Sequence, residues 1–168
     1  MDRNADGRCP FEEWAIKQGV VIYIRTALAF AIGVGIDLIL FADAYPYGER
    51  YQHQSLVGIS IYWLGPLLTL VCSFILDFKG RNPRGGSRAP GWIANFDSFG
   101  LLIPAAIVIG QTITHTIVLI RDVTIDPTTH NLLPFEYIFA WVAVGVPAVA
   151  GSMLARAISW IFDRLRAQ

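Results

Sequence analysis

Four long apolar segments divide this chain, and their length constrains what the chain can fold into. They cover about residues 19–41, 55–76, 99–120 and 135–155. Each has the roughly 20 residues that an α-helix needs to cross a lipid bilayer. Because backbone amides in lipid have no water to bond, helices are the expected solution. The sequence therefore predicts an all-α polytopic integral membrane protein, a four-transmembrane-helix bundle that forms one domain over residues 1–168.

The composition agrees with a bundle in lipid and indicates no chemistry. Hydrophobic residues make up 54% of the chain and charged residues 15%, which is typical of chains whose surface faces lipid. The formal net charge of +0 argues neither for nor against nucleic acid, and we expect none among the partners. No cofactor-binding or catalytic motif is recognisable in the sequence, so we predict no cofactor.

The distribution of basic residues predicts the orientation of the bundle. Positive charge concentrates before the first segment, in the loop 77–97 and in the C-terminal tail, whereas the other two loops hold only Arg50 and Arg121. Lys and Arg are enriched on the cytoplasmic side of membrane proteins. We therefore predict that both termini and the loop 77–97 are cytoplasmic, in a bacterial inner membrane or its equivalent. The next helix is expected to be capped by Asp97 or Ser98.

A signal peptide is the alternative interpretation of the first apolar segment. Ala42, Asp43 and Ala44 resemble the small-residue cleavage site that follows such a segment. Against cleavage stand the length of the segment, the acidic pair Glu12 and Glu13 ahead of it, and Asp37 within it. We predict that the segment is retained as a membrane span, in a helix that starts near Pro10.

Small residues and prolines predict how the helices pack. In membrane helices, small residues four positions apart let a neighbouring backbone approach closely. Candidates for such packing are Gly33 and Gly35 in the first segment and Ala143, Pro147, Gly151 and Ala155 in the fourth. Pro66, Pro104 and Pro147 are each expected to produce a static kink within a helix. The alternative is that these prolines are hinges for gating.

Polar residues inside the spans are the candidates for an ion or proton pathway, because each is costly to place in lipid. They are Asp37 in the first span and Gln111 and His115 in the third. The first and third spans run in the same direction, so Asp37 and His115 are expected at similar depths. A histidine beside a carboxylate suits a proton relay. The alternative is that these side chains only form hydrogen bonds between helices.

Two arginines near the cytoplasmic ends of spans are predicted to contact lipid. Arg25 and Arg156 can extend their guanidinium groups to the headgroups, a behaviour called snorkelling. Anionic lipid is the expected partner of these two residues and of the basic loop residues Lys79, Arg81, Arg84 and Arg88. A metal site in the outer loops is a further hypothesis, and its candidate ligands are His53, His130, Asp122 and Asp126.

Three functional hypotheses follow from these features. The first is a non-catalytic subunit or accessory component of a transport-type membrane complex, which contacts membrane lipids and other membrane subunits. The second is an oligomeric proton or ion channel or transporter that uses Asp37, Gln111 and His115. The third is a membrane-embedded lipid-modifying enzyme, for which the sequence shows no residue cluster.

Overall fold

A computed structural model describes residues 10–40, 55–80, 93, 97, 99–125, 127 and 133–166 of the chain. Side chains are described for residues 19–36, 64–78, 93, 97, 99–121, 123–125, 127, 135 and 137–166. The described residues form four α-helices and no β-strand. They are α1 (Pro10–Leu40), α2 (Ser55–Gly80), α3 (Leu102–Ile125) and α4 (Leu133–Arg166). The all-helical prediction is confirmed for this part of the chain.

Within the described residues, three helices are long and apolar enough to cross a membrane. Their qualifying stretches are Gly19–Ile36, Leu102–Ile125 and Tyr137–Arg166. The described apolar part of α2, Leu64–Phe78, is shorter. The helix start predicted at Pro10 is confirmed, since α1 begins there.

Burial in this bundle is inverted relative to a protein that folds in water. Large apolar side chains lie on the outside, where Ile117 is 63% and Val146 62% exposed. Polar side chains lie inside, where Gln111, Ser73 and Ser152 are fully buried. An apolar exterior this extensive is costly in water and favourable in lipid. The arrangement is compatible with a membrane environment.

Parallel helices that are not consecutive in sequence make the most extensive contacts. α1 packs along α3 and α2 packs along α4, while α1–α2 and α3–α4 contacts are smaller. The order of helices around the bundle is therefore α1, α2, α4, α3. An apolar core lies where α1, α3 and α4 meet, and its buried members are Ala29, Ile36, Ile103, Ala106, Ile107, Val144 and Ala148.

Glycines bring both parallel pairs into backbone contact. A Cβ added at Gly33 of α1 would collide with the carbonyl oxygen of Ile107, and one at Gly110 of α3 would collide with that of Phe30. In the α2–α4 pair, a Cβ at Gly151 would collide with the carbonyl oxygen of Leu70. Glycine is needed at these three positions because only a hydrogen fits between the backbones.

The other residues predicted to pack occupy different environments. Ala155 is buried and 1% exposed, while Ala143 and Pro147 are half-buried. Around Gly35, by contrast, no atom would lie within 4 Å of an added Cβ. The structure therefore places Gly33, and not Gly35, at the contact with a neighbouring helix.

A serine pair links α2 and α4 close to the Gly151 contact. The Ser73 hydroxyl donates to the carbonyl oxygen of Ala148 at 2.7 Å and lies 2.9 Å from the hydroxyl of Ser152. Hydrogen bonds between membrane helices contribute about 0.6 kcal/mol on average. The serine hydrogen bonds help to fix the orientation of α2 against α4, and Gly151 allows the two backbones to approach closely.

Two expectations about helix ends are corrected by the structure. Pro104 lies in the first turn of α3, where proline removes no helical hydrogen bond, so no kink is required there. Pro66 and Pro147 do lie inside α2 and α4. Asp97 precedes the first residue of α3 by five positions and does not cap it, and Ser98 lies outside the described residues.

Candidate functional site

A cluster of buried and half-buried charged residues joins α1, α2 and α4 at one end of the bundle. The carboxylate of Asp77, near the end of α2, is 4% exposed and accepts from two arginines. Its Oδ1 lies 2.9 Å from Nη2 of Arg25 in α1, and its Oδ2 lies 3.1 Å from Nε of Arg156 in α4. Asp77 therefore bridges the first and last helices. Arg25, Asp77, Asp97 and Arg156 are called the ion-pair cluster below.

Asp97 brings the segment before α3 into the ion-pair cluster. Its Oδ1 lies 3.7 Å from Nη1 of Arg25, and its carbonyl oxygen accepts from Nη2 of Arg156. The same carbonyl accepts from the backbone N–H of Gly100 at 3.1 Å, closing a turn. The Arg25 guanidinium also donates from Nε to the carbonyl oxygen of Leu76 at 2.8 Å. Each arginine thus bonds both a carboxylate and a backbone carbonyl.

The formal charges of the ion-pair cluster cancel, with two guanidinium groups and two carboxylates. Burial raises the pKa of the Asp97 carboxyl above its usual range, and the nearby charge of Asp77 acts in the same direction. The positive charges of Arg25 and Arg156 oppose this rise. Buried charges persist in proteins when they are paired and hydrogen-bonded. The cluster meets both conditions and so links the helices that contribute its members.

Gly100 provides the space that Arg156 occupies. Its φ of +74° lies in the left-handed region, and an added Cβ would collide with Nε of Arg156.

We expect Gly100→Ala to destabilise the fold by about 1–2 kcal/mol from backbone strain alone, with a further loss from displacement of Arg156. Unfolding by SDS in mixed micelles measures this effect. Gly19→Ala is the control, because an added Cβ there meets no atom within 4 Å; equal stability of both variants would contradict the assignment.

A second polar group lies in α3, toward the bundle end opposite the ion-pair cluster. Gln111 is fully buried and His115, one turn later, is 3% exposed. The ring of His115 meets that of Tyr137 edge to face, with centroids 5.1 Å apart and planes at 88°. The Tyr137 hydroxyl lies 2.8 Å from that of Thr116. His115 and Thr116 of α3 therefore contact α4 through Tyr137.

The structure brings together only part of the predicted pathway and metal residues. Gln111 and His115 lie on one face of α3. Asp37 lies in α1, one turn beyond Gly33, and its side chain is outside the described residues; its meeting with His115 stays a prediction. The proposed metal ligands His53, His130 and Asp126 are outside the described residues, as is the side chain of Asp122. Among the described residues, no group of acidic, histidine or cysteine side chains is suited to a metal.

Arg25 is placed differently from the sequence expectation. Snorkelling would extend its guanidinium outward to the headgroups, whereas the side chain is 9% exposed and turns inward to Asp77. Arg156 is 23% exposed and also bonds Asp77. Lipid contact by Lys79 stays a prediction, since its side chain is not described, and the other basic loop residues are outside the described part: Arg81, Arg84 and Arg88.

Asp77 is the member of the ion-pair cluster that the sequence analysis does not identify. It follows the second apolar segment and was assigned to the polar loop, but α2 continues to Gly80. A signal was available, because an arginine within a span needs a counter-charge at similar depth. Arg25 lies in the N-terminal half of α1 and Asp77 near the C-terminal end of α2, so the two residues reach the same end of the bundle when consecutive spans run in opposite directions.

An apolar cleft opens between α3 and α4 on the outside of the bundle. Its volume is about 800 Å³. Near its mouth the two helices are linked by the Trp141 indole, which donates to the Thr112 hydroxyl at 2.9 Å. The lining residues are Leu101, Pro104, Ala105, Val108, Ile138, Trp141, Val142, Gly145, Val146, Val149, Ala150 and Met153.

Fold and site together define an all-helical protein with membrane-compatible helices, joined by a buried ion-pair cluster. Comparisons with models of known protein families, with curated proteins and with solved structures find no match for this chain.

Proposed function

We propose that this chain is a small non-catalytic subunit of a transport-type membrane complex, which binds an apolar helix of a partner membrane protein. In this proposal all four helices cross a bacterial-type inner membrane. Both termini and the loop 77–97 lie in the cytoplasm, which agrees with the distribution of Lys and Arg. The ion-pair cluster then lies near the cytoplasmic surface and holds the subunit rigid.

The observation that carries the proposal is the cleft between α3 and α4. Along α4 it extends from Ile138 to Met153, a distance of about 22 Å at 1.5 Å per residue. This is a large part of the roughly 30 Å hydrocarbon thickness of a bilayer. An apolar cleft of this length along α4 fits an elongated apolar partner that lies across the membrane.

The small residues of the cleft favour a protein helix over a lipid chain as that partner. Ala105, Gly145 and Ala150 line the cleft and leave the backbones of both helices within reach. In lipid, helices associate through such close packing, because burial of apolar surface gives no advantage over contact with lipid tails. An acyl chain gains little from access to a backbone, whereas a helix gains packing contacts along its length.

Filling the cleft tests the proposal. We expect Ala150→Leu to reduce the amount of partner that co-purifies in mild detergent at least tenfold, since the added side chain occupies the space of the partner helix. Ala31→Leu is the matched control: it makes the same change at an exposed position of α1 outside the cleft. The amount of partner is measured by quantitative mass spectrometry, and both variants should melt within about one degree of the wild type because each change lies on the surface.

Crosslinking locates the partner on the molecule. A photo-reactive amino acid at Val146, in the cleft, should crosslink to the partner, and the same group at Leu28 on the exposed face of α1 should not. Crosslinks from Val146 to lipid only, or to a second copy of this chain, would overturn the assignment as an accessory subunit. Loss of partner from Ala31→Leu as well as from Ala150→Leu would also overturn it.

A further inference from the structure

The amide of Gln111 is an exception among the buried polar groups of the bundle. The side chain is fully buried, yet neither its Nε2 nor its Oε1 forms a hydrogen bond with any residue that the structure describes. Other buried groups have partners: the Thr69 hydroxyl donates to the carbonyl of Gly65 at 2.8 Å, and Ser73 bonds Ala148. Buried polar groups in folded proteins are bonded to protein or to ordered water.

The surroundings of Gln111 are polar on one side only. Toward the ion-pair cluster the next residues on the same face of α3 are Ile107 and Ile103, which are buried in the apolar core. In the other direction His115 follows about 6 Å along the same face of the helix, and Tyr137 stands against it. The polar surroundings of the amide therefore lie toward the bundle end opposite the ion-pair cluster, and the apolar core lies on its other side.

The hydrogen-bonding groups of the Gln111 amide indicate which kind of ligand can bind there. Nε2 can only donate hydrogen bonds and Oε1 can only accept them. A cation would leave the donor without an acceptor, and an anion would leave the acceptor without a donor. Water satisfies both atoms, because each molecule can donate and accept hydrogen bonds.

We propose that Gln111 binds ordered water inside the bundle, at a site that extends along α3 toward His115 and opens to the bundle end opposite the ion-pair cluster. The site does not depend on a partner helix and goes beyond the role of an accessory subunit. It brings solvent to the turn of α3 that carries His115, which is the first requirement of the ion or proton pathway predicted from Asp37, Gln111 and His115.

Proton-detected solid-state NMR of the ¹⁵N-labelled chain in liposomes tests this inference by following magnetisation transfer from water to side-chain N–H groups. The Gln111 amide, assigned by backbone correlations and by its loss in Gln111→Met, should gain signal as fast as the exposed Arg164 Nε–H. The Trp141 indole, bonded to Thr112 on the apolar outside, should gain signal several-fold more slowly. A Gln111 build-up as slow as that of Trp141 would overturn the proposal.

Thermal unfolding of Gln111→Met gives an independent result. If water is bound, the methionine thioether cannot replace the hydrogen bonds between the Gln111 amide and that water. We then expect the melting temperature to fall by several degrees. If the interior is dry, the substitution removes an unsatisfied amide, and a melting temperature above that of the wild type would contradict the water site.

Discussion

We expect Asp77→Asn to be the most destabilising single substitution in the described part of this chain. The carboxylate bonds Arg25 at 2.9 Å and Arg156 at 3.1 Å while 4% exposed. Its neutralisation leaves two guanidinium groups facing one another with Asp97 as the remaining carboxylate of the cluster. Removing one partner from a buried ion pair costs about 3–5 kcal/mol, because the remaining charge is buried without compensation. Unfolding by SDS in mixed micelles measures the loss.

Asp163→Asn is the control for charge in general. Asp163 lies exposed near the end of α4, so the same change there should alter the free energy of unfolding by less than about 0.5 kcal/mol. A double-mutant cycle of Arg25→Gln and Asp77→Asn should show a coupling energy above about 1 kcal/mol, since the two side chains contact one another. Additive effects, or equal tolerance of Asp77→Asn and Asp163→Asn, would show that the ion-pair cluster contributes little to the fold.

The second large effect is expected at the contact between α1 and α3. Gly33→Ala places a methyl group where the carbonyl oxygen of Ile107 lies, so the two helices must separate along their whole contact. Overpacking of this kind costs about 1–3 kcal/mol, and more where backbone atoms must move. Gly110→Ala, which meets the carbonyl of Phe30, should have a similar effect from the opposite side.

Gly35→Ala is a close control for Gly33→Ala, two positions away in the same helix. No atom lies within 4 Å of an added Cβ at Gly35, and alanine favours a helix over glycine by about 1 kcal/mol. We therefore expect Gly35→Ala to be neutral or stabilising. The measurement is the free energy of unfolding of the three variants in the same micelles. Equal destabilisation at Gly33 and Gly35 would show that helix propensity, and not the close contact, governs this helix.

The predicted helices and the observed helices agree because the feature that predicts them, the length of an apolar run, is local in sequence. An apolar run of spanning length satisfies its own backbone hydrogen bonds, and Pro10 suits a first helical position. The ends were predicted less well: α2 continues through Asp77 to Gly80, beyond the apolar residues. Hydrophobicity marks where lipid is favourable, whereas a helix continues for as long as its backbone bonds and side-chain partners allow.

In the candidate site, too, some features could be predicted from the sequence and others depend on how the helices pack. Spacing along one helix was enough to place Gln111 and His115 together on α3, since residues four apart share a face. Spacing did not distinguish Gly33 from Gly35 as the contact residue, because each belongs to a run of small residues with the same period. Which run meets another backbone depends on the rotation of α1 against α3, and the rotation is a property of the packed pair.

The sequence by itself determined that this chain is helical, that its helices suit a membrane, and which polar residues are costly within them. Only the tertiary structure decided that α1 pairs with α3 and α2 with α4, and that Arg25 turns inward to Asp77. The two residues are 52 positions apart, and their pairing requires that α1 and α2 run in opposite directions with matching depth. Burial and charge pairing depend on which helices become neighbours, and that is settled by the packing of the whole bundle.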